Sequence, residues 1–569
     1  MKRYITILVL CSFFCTSCED VLDVDPKGVL NEEQISTPED AEKFVIAAYS
    51  QLGNDEINRP FSLWQYGDMR ADDAYKGGRD PGDGQGFHFM ETFTNVRPDM
   101  WEIDGLWFHL YIGVRRANEG LRILQNFTED EYPQLTTRQA ELRFIRGHFY
   151  FELKRLFNRI PYIDENVPAA DYKLISNVEL TSQEVWEKIA ADFEFAAENL
   201  PMVQPQIGRA DQIAAFAYLS KARLYQAYEQ NDQYDVINVN QELLQKAIAA
   251  ADKVLSSNHS LESDFANNFL SGPYENGPES VFAVQFSTSD GTANGRLNFG
   301  DMLTVPQGLG CCDFKKPSQN LANAFKTDEN GVPYLDSFNA ENINFDTDNV
   351  DPRLDHTIAH PGNPWKYETA LIFEEGWSRT PEIYGFYNSL KENVQSDQYE
   401  NVDPFYGNSK SRIILRYAEV MLNKAEALIE LGRQDEALPL INELRDRASQ
   451  STEKLVNADG SLLANYKVSQ YMPGSNISWS QEYARKAVRY ERRIELALEG
   501  ERFFDLVRWG AAEQVLNSYL SVEQSRKDFL QGASFVAGKH EYLPIPQNQI
   551  FWSEDRYVQN PNYYLSSIT

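Results

Sequence analysis

The sequence predicts a mainly α-helical fold, in which tetratricopeptide-like helical hairpins form a scaffold that carries large irregular excursions. Two observations support this prediction. Apolar residues recur at spacings of three and four in both halves of the chain, which is the pattern of amphipathic helices. The pattern is lost in two long segments that are dense in Gly, Asn, Asp and Pro. Long irregular segments inside a compact protein tend to be functional.

Three single helices are predicted in the first part of the chain. Residues 39–52 follow a Thr37-Pro38 start and place apolar residues at i, i+4 and i+8. Residues 138–158 and 182–200 show the same helical periodicity. These helices are expected to pack through their apolar faces.

Two helical hairpins are predicted further along. In residues 412–449, Gly432 makes the turn, and Ala425 and Ala437 are twelve residues apart, as suits the close helix crossing of a tetratricopeptide-type repeat. Residues 214–255 resemble a second hairpin, but its corresponding alanines are 25 residues apart. About 13 extra residues therefore widen its turn.

The N-terminus has the composition of an export signal. Residues 1–20 read MKRYITILVLCSFFCTSCED, in which two basic residues precede a short apolar run and two small residues lead into Cys18. The run is about half the length needed to cross a bilayer. The arrangement resembles the lipobox of bacterial lipoproteins, which implies that Cys18 carries lipid and becomes the mature N-terminus. The alternative is plain secretion, with Cys18 as an ordinary residue.

The chain after this leader is predicted to fold as one unit. The leader covers residues 1–17 and the unit residues 18–569. The predicted parts of the unit are a helical scaffold at about 36–52, 107–260 and 410–510, a loop-rich ligand face at about 53–106 and 261–409, and a C-terminal loop segment at 511–569.

Once the leader is removed and Cys18 is lipidated, two cysteines remain, Cys311 and Cys312. An exported protein with this count depends on its core rather than on a disulfide framework. Neighbouring Cα atoms lie about 3.8 Å apart across a trans peptide, below the ~4.4–6.8 Å usual for a disulfide, so a bridge needs a strained turn. Our hypothesis is that the pair oxidises to a rigid apolar ring that lines the ligand site. The alternative is two reduced, partly buried thiols.

Charge excludes one class of partner. The precursor has a formal net charge of −32, and no block of Lys or Arg interrupts the acidic balance. Phosphate backbones are bound through cationic surfaces, so nucleic acid is not an expected partner.

Motifs for catalysis are absent from the sequence. It contains no G-x-S-x-G, P-loop or H-E-x-x-H pattern. His356 and His360 are four residues apart, but a Pro-Gly pair follows the second, which argues against a metal site. Asp346, Asp348 and Asp351 could hold Ca²⁺, although the glycine and terminal Glu of an EF-hand loop are missing. No other cofactor is expected.

Several segments resemble one known family. ERRIELALEGERFFDLVRWG at 491–510, EYLPIPQNQI at 541–550 and VQNPNYY at 558–564 are similar to the C-terminal signature of the SusD/RagB family of Bacteroidetes outer-membrane lipoproteins. The remaining matching segments are LDVDPKGVL at 22–30, RFIRGHFYFELKRLFNRIPYI at 143–163 and ILRYAEVMLNKAEALIELG at 414–432. The resemblance therefore runs from end to end.

The resemblance implies a SusD-like fold and a role. Proteins of this family are surface-exposed, lipid-anchored in the outer membrane, and built from four tetratricopeptide-like helix pairs with a loop-rich face. They cover a SusC-like TonB-dependent transporter and capture oligosaccharides for import, and they are not enzymes. The alternative on the same scaffold is a protein that binds peptides or proteins.

The charged residues of the C-terminal signature have a structural explanation. They alternate in sign at helical spacings, as in a salt-bridged helix, and we expect them to stabilise the fold rather than bind ligand. They are Glu491, Arg492, Glu495, Glu499, Arg502, Asp505 and Arg508.

The first irregular segment offers candidate sugar-binding residues. Sugars stack on flat apolar faces and bond to nearby planar polar groups, and small-ligand sites generally combine both. Trp64 and Trp101 are the candidate platforms, whereas Trp107 lies in a helical run and is expected in the core. The candidate hydroxyl partners are Asn54, Asp55, Asp72 and Asp73. The adjacent pair Asp72 and Asp73 is not expected to act as a glycosidase, which needs carboxyl groups about 5–9.5 Å apart across the sugar.

The second irregular segment offers a further set. Arg379 lies beside Trp377, and its guanidinium can donate to paired hydroxyls. Tyr387 and Tyr406 are candidate platforms, although Tyr387 could instead form a strand face. Together with Cys311 and Cys312, these residues complete the predicted ligand site.

Overall fold

The computed structural model describes residues 35–53, 63–288, 290–291, 296–402 and 405–564. Within these ranges the protein is mainly α-helical, as predicted. None of the helices described there is long and apolar enough to cross a membrane. The longer helices are α1 (Pro38–Leu52), α2 (Gln85–Thr92), α3 (Trp101–Leu124), α4 (Leu135–Phe157), α5 (Ser182–Asn199), α6 (Gln212–Ala227), α7 (Gln241–Leu255), α8 (Tyr417–Glu430), α9 (Gln434–Gln450), α10 (Gln481–Glu495) and α11 (Ala512–Glu523). The shorter α-helices are Trp64–Gly67, Gln319–Ala324, Arg353–Thr357, Pro381–Tyr384, Arg502–Arg508 and Gln547–Trp552.

Consecutive long helices pack on each other, so the scaffold is a row of helical hairpins. α3 packs on α4, α4 on α5, α5 on α6 and α6 on α7, and α8 then contacts both α7 and α9. Glycines permit the closest approaches. A Cβ atom at Gly113 would lie 2.3 Å from the Phe149 ring, and one at Gly147 would lie 2.9 Å from Phe193. Larger side chains at these positions would push the helices apart.

The two predicted hairpins are present, with differences in detail. α8 and α9 meet at Gly432, which has a φ of 74°. The chain before α8 is a strand, Arg412–Arg416, rather than a helix. In the second hairpin, the extra residues between α6 and α7 form a β-hairpin of Tyr228–Gln230 and Val236–Val239.

Two boundaries differ from the prediction. α3 begins at Trp101 rather than near residue 107, because Ile103 and Leu106 continue its buried face. The C-terminal segment 511–569 was expected to consist of loops, but it contains α11 and the helix Gln547–Trp552. α11 buries Leu516 and Leu520, which are four residues apart, against the main core.

Short strands join the two irregular segments. Ala74–Gly77 pairs antiparallel with Phe314–Pro317, so that Ala74 lies opposite Pro317. Ser280–Val284 pairs with Arg412–Arg416. The other strands are Lys326–Thr327, Asn349–Val350, Ile358–Ala359, Pro364–Trp365, Glu368–Ile372, Asn388–Ser389, Glu400–Val402, Phe405–Gly407 and Asn465–Tyr466.

The charged C-terminal signature is ion-paired, as predicted, but it is not one helix. α10 ends at Glu495, and the helix Arg502–Arg508 begins after a turn in which Leu498 and Gly500 have φ of 62° and 85°. Its charges are largely buried rather than solvated. The turn brings the Gly500 backbone close to Gly67. A Cβ atom at Gly67 would lie 1.9 Å from the Gly500 carbonyl oxygen.

Glu495 is the centre of a buried ionic cluster. Its carboxylate accepts hydrogen bonds from Arg353 at 2.9 Å, from Arg416 at 2.6 Å and from Arg447. Burial alone would raise the pKa of Glu495, but the three guanidinium groups hold it well below its ordinary value. Because Arg353 and Arg416 come from outside α10, the carboxylate ties separate parts of the chain together.

We predict that Glu495→Gln lowers the free energy of unfolding by about 3–5 kcal/mol, because three buried guanidinium groups lose their shared charge. Urea unfolding followed by circular dichroism measures the change. Glu436→Gln is the control, since Glu436 forms an exposed pair with Arg433 and is expected to change stability little. Equal effects of the two substitutions would contradict the structural role of the cluster.

Candidate functional site

The candidate site is centred on residues 307–313, which we call the cysteine turn. Cys311 and Cys312 are joined by a disulfide within this turn. Cys312 is buried, whereas Cys311 is partly exposed. The strand Phe314–Pro317 follows directly and fixes the turn against Ala74–Gly77. The disulfide is therefore held in a fixed turn, with Cys311 toward the surface and Cys312 in the interior.

Two aromatic rings lie against glycines of the cysteine turn. A Cβ atom at Gly310 would lie 2.3 Å from the Tyr406 ring, and one at Gly308 would lie 2.5 Å from the Trp377 ring. No side chain larger than hydrogen fits at either position without moving the rings. Trp377 and Tyr406 are both half-buried. Trp377 also packs against a small core cluster through Phe373, at 5.4 Å between ring centroids.

Asp313 connects the cysteine turn to its surroundings. Its Oδ2 accepts a hydrogen bond from the Arg379 backbone N–H at 2.7 Å. Its Oδ1 accepts from the Lys316 ammonium at 2.6 Å and from the Asn388 amide at 2.9 Å. One buried carboxylate thus fixes three chain segments around the disulfide.

Arg379 is the partly exposed cationic group of the site, whereas Lys316 is buried beneath it. Its Nη1 donates to Asp83 Oδ2 at 3.2 Å and to the Cys312 carbonyl at 3.4 Å. The side chains of Arg379 and Asp83 are 28% and 30% exposed, so this ion pair faces partly toward solvent. A guanidinium has five N–H donors, and these contacts use only Nη1. Nε and Nη2 can therefore donate to the hydroxyl groups of a ligand.

The structure brings four of the predicted site residues together: Cys311, Cys312, Arg379 and Tyr406. Tyr387 is not among them. Its hydroxyl donates to Gln319 at 3.2 Å, its ring packs at 6.0 Å from Phe345, and burial raises its pKa to about 12. Tyr387 is therefore a packing residue of a separate core cluster.

Trp64, Asp72 and Asp73 are placed in the interior, contrary to the sequence-based expectation. They are 0%, 2% and 0% exposed. Trp64 packs 6.1 Å from Phe87 and 6.2 Å from Phe314 between ring centroids. A ligand cannot reach an indole face that is covered in this way.

The two aspartates are used in ion pairs. Asp72 accepts from Arg502 Nε at 2.8 Å, and Asp73 accepts from Arg493 Nε at 2.9 Å. Burial alone would raise the pKa of Asp72, but Arg493 and Arg502 lower it to about 2. These carboxylates hold the fold together and are unavailable to sugar hydroxyls, so an Asp73→Ala change is expected to act on stability.

The remaining predicted residues fall elsewhere. Trp101 is 55% exposed at the first position of α3. Its neighbour Glu102 packs against Gly86, near the loop that carries Asp83. Trp101 is therefore accessible to a ligand and stays a candidate platform. Cys18, Asn54 and Asp55 lie outside the described residues.

Asp83 and Asp313 are site residues that sequence reasoning missed. Asp83 lies in the run RDPGDGQG, whose Gly-Asp-Pro composition indicates a turn and gives no hint of a partner. Its contact with Arg379 spans 296 residues of sequence. Such a pairing is visible only in three dimensions.

The residues considered for a metal site, the three aspartates for Ca²⁺ and the two histidines, do not converge. Asp351 accepts two hydrogen bonds from the buried Arg353 side chain. His356 bonds to Tyr367 and Ser451, and His360 to Asp355. Across the described parts of the chain, no group of three or more His, Cys, Asp or Glu residues is arranged to hold a metal ion.

A second surface feature is an apolar groove of about 540 Å³ along α3. Its walls include Trp107, Phe108 and Tyr111 from α3 and Trp552 from the helix Gln547–Trp552. Phe108 and Trp552 are 54% and 50% exposed, whereas Trp107 is 2% exposed and belongs to the core, as predicted. Arg115 also lines the groove and pairs with Glu119 at 3.4 Å.

Comparisons with known proteins assign a family. A model of the SusD family matches residues 278–563, and one described as starch-binding and associating with the outer membrane matches residues 25–225. The chain is similar to SusD-like protein P38 of Formosa agariphila, with 25% identity over 92% of this chain and 96% of that protein.

Solved structures share the fold. One is a SusD homolog from Bacteroides thetaiotaomicron, with a TM-score of 0.69 and 21% identity over 94% of this chain and 98% of that one. Another is surface glycan-binding protein A from the same species in complex with laminarihexaose, with a TM-score of 0.64 and 19% identity over 92% of this chain and 100% of that one.

We predict that a variant lacking residues 1–18 has no free thiol before reduction and two after it, because Cys311 and Cys312 are then its only cysteines. Thiol titration of the unfolded protein with and without reductant makes the measurement. Cys311→Ser is the control and is expected to expose one thiol without reductant. Two free thiols in the untreated protein would show that the disulfide does not form.

Proposed function

This chain belongs to the SusD family, and we propose that it is a cell-surface glycan-binding lipoprotein that captures oligosaccharides. The observation that carries the proposal is the surface around the cysteine turn, where Tyr406, Trp377 and Arg379 surround a disulfide. Half-buried rings offer flat faces to the C–H surface of a sugar, and the guanidinium offers planar donors to its hydroxyls.

The comparisons support a carbohydrate ligand. One protein of the same fold is in complex with laminarihexaose, and another is a laminarin-binding SusD-like protein. Both are about one-fifth identical to this chain, so their ligands are suggestions for the first probes. The ligand class that we propose is an oligosaccharide.

Delivery to a transporter is the second part of the proposal. Lipid at Cys18 would anchor the protein in the outer membrane, and the family description of an association with that membrane supports this location. We propose a SusC-like TonB-dependent transporter as the partner that receives the glycan, because the family resemblance implies such a partner.

We propose a binding role without catalysis. A glycosidase would need two accessible carboxyl groups on either side of a sugar. The adjacent pair Asp72 and Asp73 is buried and ion-paired with Arg502 and Arg493. At the cysteine turn, Asp313 is buried and Asp83 pairs with Arg379. Release of reducing sugar from a bound glycan would contradict this part of the proposal.

The apolar groove on α3 favours the alternative ligand class. Aromatic walls formed by Phe108, Tyr111 and Trp552, with Arg115 among the lining residues, form an extended surface that suits the apolar side chains of a peptide. A peptide-binding protein on the same scaffold would use this groove, whereas a glycan-binding protein would use the cysteine turn. The two functions thus predict different sensitive residues.

Trp377 and Trp552 form a matched pair for the test, because each lies at one of the two surfaces. We predict that Trp377→Ala lowers glycan affinity by about tenfold or more, about 1.4 kcal/mol, through loss of a stacking face. Trp552→Ala is expected to leave glycan affinity unchanged. Calorimetry against plant, microbial and host glycans, starting with laminarihexaose, makes the measurement, and unfolding midpoints confirm that both variants fold.

Binding to one glycan class without release of reducing sugar would support the capture role. The opposite order of sensitivity, with peptides bound and Trp552→Ala deleterious, would establish the peptide alternative. Failure of the wild-type protein to bind any glycan would overturn the proposed ligand class.

A further inference from the structure

Lys76 is a fully buried lysine close to the site. It is 0% exposed and belongs to the strand Ala74–Gly77. Its ammonium donates to three backbone carbonyl oxygens, those of Gly77 at 2.8 Å, Asp80 at 3.1 Å and Asp83 at 2.6 Å. All three lie in residues 77–84, which we call the glycine loop. The loop is therefore wrapped around the ammonium.

The three carbonyl oxygens surround the Lys76 ammonium as they would surround a bound cation. An ammonium has three N–H donors, and each is matched here by one carbonyl oxygen. The rings of Phe314 and Tyr384 lie 5.0 and 5.3 Å from Nζ, within the range of cation–π attraction. A side chain of the same length without a donor would leave one buried and two partly buried carbonyls without this hydrogen bond.

The glycine loop holds the cationic group of the candidate site. Asp83 Oδ2 accepts from the Arg79 backbone N–H at 2.9 Å and from Arg379 Nη1 at 3.2 Å. The Thr380 hydroxyl donates to the Arg79 carbonyl at 2.8 Å. The position of Asp83, and through it the direction of the Arg379 guanidinium, thus depends on the loop conformation.

We infer that Lys76 is a positioning residue for ligand binding: its ammonium closes the glycine loop, so that Asp83 directs Arg379 toward the bound ligand. This inference depends on the proposed function in naming Arg379 as a ligand contact. The hold of Lys76 on the loop can be tested without any ligand.

The pH dependence of ligand affinity distinguishes a positioning role of Lys76 from a purely structural one, because it follows the protonation of Lys76. Burial lowers its pKa to about 8, against the opposing effect of Glu91, Asp83 and Asp80, while Arg379 adds to the decrease. The titratable hydroxyl of Tyr384 is the remaining group that faces it. A neutral amine keeps two donors for three carbonyls, so the loop loses one hydrogen bond above pH 8.

Affinity and stability should then respond to pH in opposite directions. Glycan affinity falls as pH rises through 8, because the loop that holds Asp83 is loosened. The contribution of Lys76 to the unfolding free energy rises between pH 8 and about 10.5, because the unfolded chain binds more protons there. The titration of Lys76 by itself therefore predicts no loss of stability between pH 8 and about 10.5.

The test uses the detergent-solubilised mature chain, with Lys76→Met compared with Lys154→Met. Lys154 is also a buried lysine that donates to a carbonyl, that of Asn158 at 2.9 Å, but it lies in α4. Hydrogen exchange is read at the amides of Arg79, Gly82 and Asp83, which are hydrogen-bonded within the loop. We expect Lys76→Met to speed their exchange at least tenfold and Lys154→Met to leave it unchanged.

The second measurement is affinity for laminarihexaose, or for whichever glycan the wild-type protein binds, from pH 7 to 9. We expect the wild-type affinity to fall several-fold over this range and the affinity of Lys76→Met to be low and independent of pH. If Lys76→Met fails to fold, the wild-type exchange rates at the three loop amides, corrected for intrinsic pH dependence, decide the question.

Unchanged loop exchange in Lys76→Met, or equal effects of Lys154→Met, would overturn the inference. A wild-type affinity that does not vary between pH 7 and 9 would also overturn it. Absence of glycan binding by the wild-type protein would instead refute the proposed function, and the exchange measurement would still show whether Lys76 holds the loop.

Discussion

The other features of the structure depend on a set of buried ion pairs. These pairs join α10 and the turn that follows it to the rest of the chain. Glu495 gathers Arg353, Arg416 and Arg447 from outside its own helix. Glu501 pairs with Arg155 and with the ammonium of Lys221, which belong to the helical row. Removing one partner from such a pair leaves a charge in a low dielectric, which is far more costly than losing an exposed pair. The helical scaffold and the irregular segments are therefore fixed relative to each other.

The candidate site is connected to this cluster through a short path of contacts. Arg493 in α10 pairs with Asp73, whose carbonyl oxygen accepts from the Ser318 backbone N–H at 2.9 Å. The Ser318 hydroxyl also donates to the Asp72 carbonyl at 2.6 Å. These contacts lock the strand Phe314–Pro317, which directly follows the cysteine turn. The aspartates that the sequence suggested as ligand contacts act instead by holding the strands beneath the site.

The sequence predicted the helical scaffold well because helical periodicity is a local signal. α8 and α9 meet at Gly432, as predicted. A glycine that interrupts a run of helical periodicity marks a helix end, because glycine adopts positive φ readily. Part of the candidate site was predicted. Arg379 and Tyr406 lie together near the cysteine turn, and the sequence suggested them because they lie in irregular segments. The sequence does not show whether an aspartate such as Asp72 is buried or exposed. Contacts such as Asp83 with Arg379 depend on long-range packing that one sequence does not display.

The central claim is that a glycan binds at the cysteine turn. A crystal structure of the mature protein with a bound oligosaccharide tests it most directly. We expect a sugar ring within about 4 Å of the Tyr406 or Trp377 ring, with Nε or Nη2 of Arg379 within about 3.2 Å of a hydroxyl oxygen. A sugar bound in the groove along α3, or on any surface that leaves these three side chains free, would contradict the claim.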